Sequence, residues 1–266
     1  MTTQQSTIHR FEQWATNLLA HHQSNLGEVY QSSTISALLD GVYDGDVTVA
    51  DILRHGDFGL GTFNRLDGEM VILDGVCYHL YADGTATQAA PTDRTPFAAV
   101  THFRTDFDLS IRSSTGRANV FRAIDAKIAS TNLIYAIRVT GRFTGLHTRT
   151  VMAQTPPYPP LTTATKDQTE TVFEKAAGTI VGFRTPDFEQ GISVAGYHLH
   201  FLSGDHAHGG HVLDFAVEQG QISVSTASQL HLSLPTTEAF LRANLSGPDL
   251  SDQIQRVEGG ASPPHP

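Results

Sequence analysis

Apolar residues recur at helical spacing over residues 7–22, where Ile8, Phe11, Trp14, Ala15, Leu18 and Leu19 share one face; this predicts an amphipathic helix laid on the body of the protein. A short helix is expected over residues 34–39 with Ser33 as its cap, and another near residues 48–54. From Asp57 the texture changes. Gly59, Gly61, Gly68, Gly75 and Gly84 punctuate short apolar or aromatic runs such as 70–73 and 76–81, the pattern of strands and turns. Residues 116–130 place Val120, Phe121, Ile124 and Ile128 on one helical face, and 133–150 then reads as a long strand or a strand pair broken near Gly145.

The stretch 155–168 holds Pro156, Pro157, Pro159 and Pro160 followed by threonine-rich sequence, which supports neither helix nor central strand and marks a domain boundary or crossover. Beyond it the pattern predicts a helix near 170–177, strands near 179–184, 193–202, 211–217 and 221–234, and a helix over 236–243. The last residues, rich in Pro, Gly and Ser, read as a tail. The resulting division is 1–26 as an N-terminal helix, 27–155 as a mixed sheet domain, 156–246 as a second sheet domain, and 247–266 as the tail.

Hydrophobic residues make up 39% and charged residues 17% of the 266, which supports a folded core and excludes a charge-dominated disordered chain. Lys and Arg number 17 against 27 Asp and Glu, and the formal charge of -10 repels nucleic acid and anionic lipid, so neither is expected as a partner. No apolar run approaches the roughly 18 residues of a membrane span, and the start of the chain is polar where a signal peptide is apolar, so a cytoplasmic location is expected. Cys77 is the single cysteine and can form neither an internal disulfide nor a thiolate cluster, which leaves 14 histidines as the plentiful soft ligands.

Five of those histidines fall between Gly196 and Asp214: His198, His200, His206, His208 and His211. On a strand His198 and His200 project to one side while Leu199 and Phe201 go to the other. A loop marked by Ser203, Gly204, Asp205, Gly209 and Gly210 then turns the chain back, and His211 can supply a third nitrogen from the returning strand. Three neutral imidazoles with open coordination positions are the composition of a catalytic divalent site, with zinc the default and iron, nickel, cobalt or copper compatible with the same ligands. His206 and His208 are read as solvated loop groups, and His55, His79, His102, His147 and His231 as structural.

With Gly196 to Phe201 and Gly209 to Asp214 in view, the chain resembles the alpha-acetolactate decarboxylases. The resemblance extends to Tyr30, Gln31, Ser32, Ser33 and Thr34, to the stretch 59–74 with Leu66, Asp67, Gly68 and Glu69, to the Arg149 region with Pro157 to Leu161, and to Val257 and Glu258. It implies an α/β (α+β) fold of two sheet-containing domains with mixed or antiparallel strands and peripheral helices, the metal site between them, in a homodimer. It implies a zinc-dependent lyase that converts 2-acetolactate to acetoin and carbon dioxide, either on a fermentation branch towards acetoin and butanediol or in the removal of surplus acetolactate. It assigns His198, His200 and His211 to the metal, and Arg149, Glu69 and Glu258 to catalysis. Thr62, expected near the same sheet edge, is added as a substrate binder.

Decarboxylating a 3-oxo acid leaves an electron pair that flows into the ketone as an enediolate. A cation can stabilise that charge without thiamine or a Schiff base, so no organic cofactor is expected. Arg149 offers a fork for a carboxylate or enediolate oxygen, with His147 on its face of the strand, and a glutamate of raised pKa can return the proton. Two other readings share the histidines: a cupin-like oxygenase or isomerase with Asp205 as its acid, and a non-catalytic metal-binding module. The cupin pattern places its third histidine on a more distant strand than the eleven-residue spacing from His200 to His211 allows.

Overall fold

A strand needs a partner along each edge to satisfy its backbone N–H and C=O groups, and the longest strands of this chain find theirs in one another. The computed structural model describes residues 27–247 and 249–258. The helix expected over 7–22 lies outside them. The first half runs β1 (Gly27–Ser32), α1 (Ile35–Leu39), β2 (Val47–Thr48), α2 (Val49–Ile52), β3 (Phe58–Thr62), β4 (Glu69–Leu73), β5 (Val76–Leu80), β6 (Ala86–Gln88), β7 (Arg94–Thr95), β8 (Phe97–Thr101), β9 (Phe107–Ile111) and β10 (Thr115–Gly116). The second half continues with α3 (Arg117–Asp125), β11 (Ile134–Thr150), α4 (Leu161–Ala164), β12 (Thr169–Thr185), β13 (Gly196–Ser203), β14 (Gly209–Ser233), α5 (Glu238–Arg242) and α6 (Leu250–Glu258). The protein is mostly strand, and among the described residues no helix is long and apolar enough to cross a membrane.

Twelve strands form one hydrogen-bonded sheet in the order β11-β12-β13-β14-β1-β8-β3-β4-β5-β6, with β9 and β10 joined to β14. β11 also pairs with β14, so β11, β12, β13 and β14 close on themselves into a barrel-like ring. β14 is the hub. It pairs antiparallel with β9, β10, β11 and β13, and parallel with β1. The inner face of the ring and the helix α3 share a core of Val120, Ile124, Val139, Phe143, Phe201 and Ile222, among others. A second core joins α1, α6 and the β3–β4–β8 segment through Ile35, Leu38, Leu60, Val71, Phe97 and Ile254.

Several local expectations change in this setting. The segment expected as a helix over 170–177 is the first half of β12, because pairing with β11 from Thr150↔Thr169 onward outweighs the helix-favouring Glu174, Lys175, Ala176 and Ala177. The strands expected at 211–217 and 221–234 are one continuous β14, whose Gly220 lies opposite both Gly141 and Ile111. β11 is likewise unbroken at Gly145, where a left-handed residue (φ +56) sits within register shifts between Thr144 and Thr148. Thr34, not Ser33, caps α1: its side chain accepts from the Ala37 N–H at 3.2 Å, while Ser33 is left-handed. The Pro- and Thr-rich stretch does contain a short helix, α4, with buried Leu161 and Ala164. The expected tail folds in part as α6, whose Leu250, Ile254 and Val257 fall at i, i+4 and i+7 on one face, with Ile254 and Val257 buried.

Gly182 of β12 sets how closely β13 approaches. A Cβ there would lie 2.0 Å from the His198 carbonyl and 2.8 Å from the Leu199 Cα. Gly182→Ala is therefore expected to cost about 2–3 kcal/mol, measured as a lower urea midpoint at unchanged slope. Gly116→Ala, with open space around it, is the control and should change the midpoint little.

Candidate metal and catalytic site

The register of three strands aligns the site. Arg149 of β11 is paired with His211 of β14, and His211 with His200 of β13, so the three side chains project side by side from one face. His198, two residues before His200, joins them, while Leu199 and Phe201 turn the other way into the core beneath α3. The alternation expected from sequence is the observed one. The three ring centroids lie 5.1, 5.1 and 5.3 Å apart, and one ligand nitrogen from each histidine lies within 4.8 Å of the others.

Two of the rings are oriented by backbone carbonyls. His200 Nδ1 donates to the Met70 carbonyl at 2.9 Å, and His211 Nε2 donates to the Glu258 carbonyl at 3.1 Å. A carbonyl only accepts, so His200 Nε2 and His211 Nδ1 are left with lone pairs, and both atoms are buried without a hydrogen-bond partner. Burial, with the Arg149 charge adding to it, pushes the His198 imidazole down to about 3. Burial and then the neighbouring His198 push His200 down to about 3, and burial holds His211 well below the usual histidine range. At neutral pH all three rings are uncharged.

Around them lie the other residues singled out from sequence. Arg149 Nη1 is 3.3 Å from Glu69 Oε1 and its Nη2 is 3.5 Å from Glu258 Oε2. Glu258 Oε2 is also 3.3 Å from His198 Nε2 and 3.6 Å from His211 Nδ1, and Glu69 Oε2 is 3.5 Å from His200 Nε2. Glu69 opens β4 directly opposite Thr62, the last residue of β3, and Glu258 ends α6. Thr62 donates its hydroxyl to the Gly68 carbonyl at 2.6 Å. Burial pushes Glu69 up to about 8 against the pull of Arg149, and raises Glu258 as well. Thr62, Glu69, Arg149, His198, His200 and Glu258 line one cavity, walled elsewhere by apolar side chains including Leu66, Phe97 and Val257.

The histidines read as structural or solvated lie apart from this cavity. His206 and His208 are exposed in the β13–β14 loop, His147 pairs with Glu170 at 2.9 Å, and His79 is stacked between Phe63 and Tyr81. The apolar wall from α1, α4 and α6 carried no sequence signal beyond amphipathic spacing, and Glu189, discussed below, carried none.

The family model for alpha-acetolactate decarboxylase matches residues 29–247. The chain is 47% identical over 230 residues to the alpha-acetolactate decarboxylase of Klebsiella aerogenes, covering 86% of this chain and 88% of that one. It is 44% identical over 234 residues to the Bacillus subtilis (strain 168) protein of the same description, covering 88% and 92%. The crystal structure of alpha-acetolactate decarboxylase from that Bacillus subtilis strain superposes with a TM-score of 0.86 at 44% identity, covering 88% of this chain and all of that one.

These shifts fix how the stability of the metal-free protein depends on pH. Glu69 binds its proton more tightly folded than unfolded, so its contribution is fully present below its unfolded value of 4.5 and is lost as pH rises through about 8. The depressed histidines act oppositely: their contribution is present above 6.5 and is lost as pH falls towards about 3. The melting temperature of the metal-free protein is expected to fall on both sides of a maximum near pH 6.5, and Glu69→Gln should flatten the alkaline limb. A scan across pH 4.5–9 measures it.

Proposed function

The chain belongs to the alpha-acetolactate decarboxylase family, and from that premise we propose that His198, His200 and His211 hold a divalent cation, zinc by donor set, while Arg149, Glu69 and Glu258 manage the charge and proton of the reaction. The substrate is 2-acetolactate, which loses its carboxylate as carbon dioxide and gains a proton at the same carbon to give acetoin. The supporting observation is the convergence of three neutral imidazoles, two with buried unpartnered lone pairs, on a guanidinium flanked by two carboxyls. Three imidazoles with a carboxylate oxygen nearby suit zinc and leave coordination positions for a substrate. Bound there, the cation supplies electrophilic stabilisation of the oxygen that receives the electron pair, and draws the neighbouring carboxyl pKa values back towards neutrality.

The chain's own groups carry the remaining work. Arg149, whose two Nη groups lie beside Glu69 and Glu258, keeps further N–H donors that can meet the substrate's carboxylate. Glu69, whose carboxyl burial shifts towards its protonated form, is the group placed to return a proton to the carbon that carbon dioxide leaves. Glu258 keeps Arg149 in place and faces His198 and His211, and its backbone carbonyl fixes the His211 ring. Thr62 has spent its proton on Gly68 and therefore meets the substrate's tertiary hydroxyl as an acceptor. The apolar wall of Leu66, Phe97 and Val257 excludes water and suits the two methyl groups of acetolactate.

The assay is acetoin formation from racemic 2-acetolactate by purified protein, after chelation and after zinc is restored. Activity that disappears with the metal and returns with it supports the reading, and full activity in the chelated protein overturns the metal role. His211→Ala is expected to lose zinc and turnover together, read by metal content per chain beside the assay. Arg149→Ala should keep its zinc and lose turnover by about 10²–10³-fold, the size of one transition-state donor.

A further inference from the structure

A second cavity is also lined by His198. It has about 20 Å³ in which the centre of a water molecule can sit, room for one. Apolar side chains such as Leu60, Phe97 and Phe183 make most of its wall, and the polar exceptions include His198, Ser193 and Glu189. Glu189 closes the short 3₁₀ turn Asp187–Glu189 between β12 and β13, and it is only 5% exposed. Its Oε2 is buried without a hydrogen-bond partner among the described residues, and its carboxyl is pushed up to about 7 by burial alone. An unpaired carboxyl in an apolar cavity costs folding free energy that a leucine would not, so the position calls for a role.

His198 is the histidine with an opening for one. His200 and His211 each donate their second ring nitrogen to a carbonyl, from Met70 and Glu258, but the His198 ring makes no such hydrogen bond among the described residues. Metal-ligating imidazoles characteristically donate their second N–H to a carboxylate, carbonyl or water, which fixes the ring and its tautomer. The loop carrying Glu189 is itself pinned. Gln31 of β1 donates to the Ile192 carbonyl at 2.8 Å and accepts from Ser193 Oγ at 2.5 Å, and Thr185 donates to the Val194 carbonyl at 2.5 Å.

Resting on the reading of the triad as a metal site, we infer that Glu189 is a positioning residue for His198, its carboxyl accepting from a water in the shared cavity that in turn accepts the second N–H of the imidazole. Ser193 Oγ, whose proton goes to Gln31, is a further acceptor for that water. The three ligands are then held by three different devices: two carbonyls, and one carboxyl acting through water.

The experiment compares wild type, Glu189→Gln and Glu189→Leu for zinc dissociation constant, by competition with a chelator, and for melting temperature of the metal-free protein. Glu189→Leu is expected to bind zinc about 10–100-fold more weakly with a melting temperature no lower than wild type. Glu189→Gln, which keeps an acceptor for the water, should fall between the two, and it decides the matter if the leucine variant does not fold. Zinc binding within twofold of wild type in the folded variants, or a weakening matched by a fall in melting temperature, overturns the inference. A wild-type protein that binds no zinc overturns the metal reading beneath it, which is a separate and distinguishable result.

Discussion

Arg149 is 4% exposed, and a guanidinium cannot shed its charge, so the fold has to bring acceptor oxygens to one point in its interior. Glu69 and Glu258 are that answer, arriving from β4 and α6, elements far apart in sequence. Once two carboxyls are committed beside the arginine, the imidazoles packed against them stay uncharged, since burial already opposes a second cation there. A buried arrangement of this kind contributes little to stability by itself and is costly when one partner is missing. It therefore needs a rigid container.

The container is the closed ring of β11, β12, β13 and β14. Closure fixes register, and register fixes which side chains stand next to one another: Arg149, His211 and His200 are neighbours because their strands pair at those positions. A slip of one residue in β14 would turn His211 into the apolar core and Val212 into the site. The bulges near Gly145 absorb the bend of the ring ahead of that point, so that the last residues of β11 remain in step with the histidine strands. The other half of the sheet contributes less geometry but completes the chemistry, through the Met70 carbonyl and the carboxyl of Glu69 on the same strand.

The polar wall of the site is thus built in layers of decreasing sequence locality. His198 and His200 come from one strand, His211 from the next, Arg149 from a strand some fifty residues earlier, and Glu258 from the end of the last helix. Glu258 lies beyond the stretch 29–247 matched by the family model, on an element held by Ile254 and Val257 packing on the body of the protein. Its placement depends on the packing of that apolar face against the body of the protein.

What the sequence determined by itself was local: that His198 and His200 share a face, that Leu199 and Phe201 oppose them, that a Gly-rich turn returns His211, that the stretch 116–130 carries an amphipathic helix, and that the glycine-punctuated runs are strands. These follow from the two-residue period of a strand and the 3.6-residue period of a helix, which nearest neighbours along the chain impose. The resemblance that singled out Glu69, Arg149 and Glu258 gave no reason for their meeting at one point. Only the tertiary structure decided that 170–177 is strand, that β14 runs unbroken through Gly220, that 250–258 folds as a helix, and that Glu189 faces a cavity beside His198. Each of those outcomes is set by a partner distant in sequence. Pairing with β11 outweighs the helix propensity of one segment, and burial of one apolar face gives another a helix that its Pro- and Gly-rich flanks disguise.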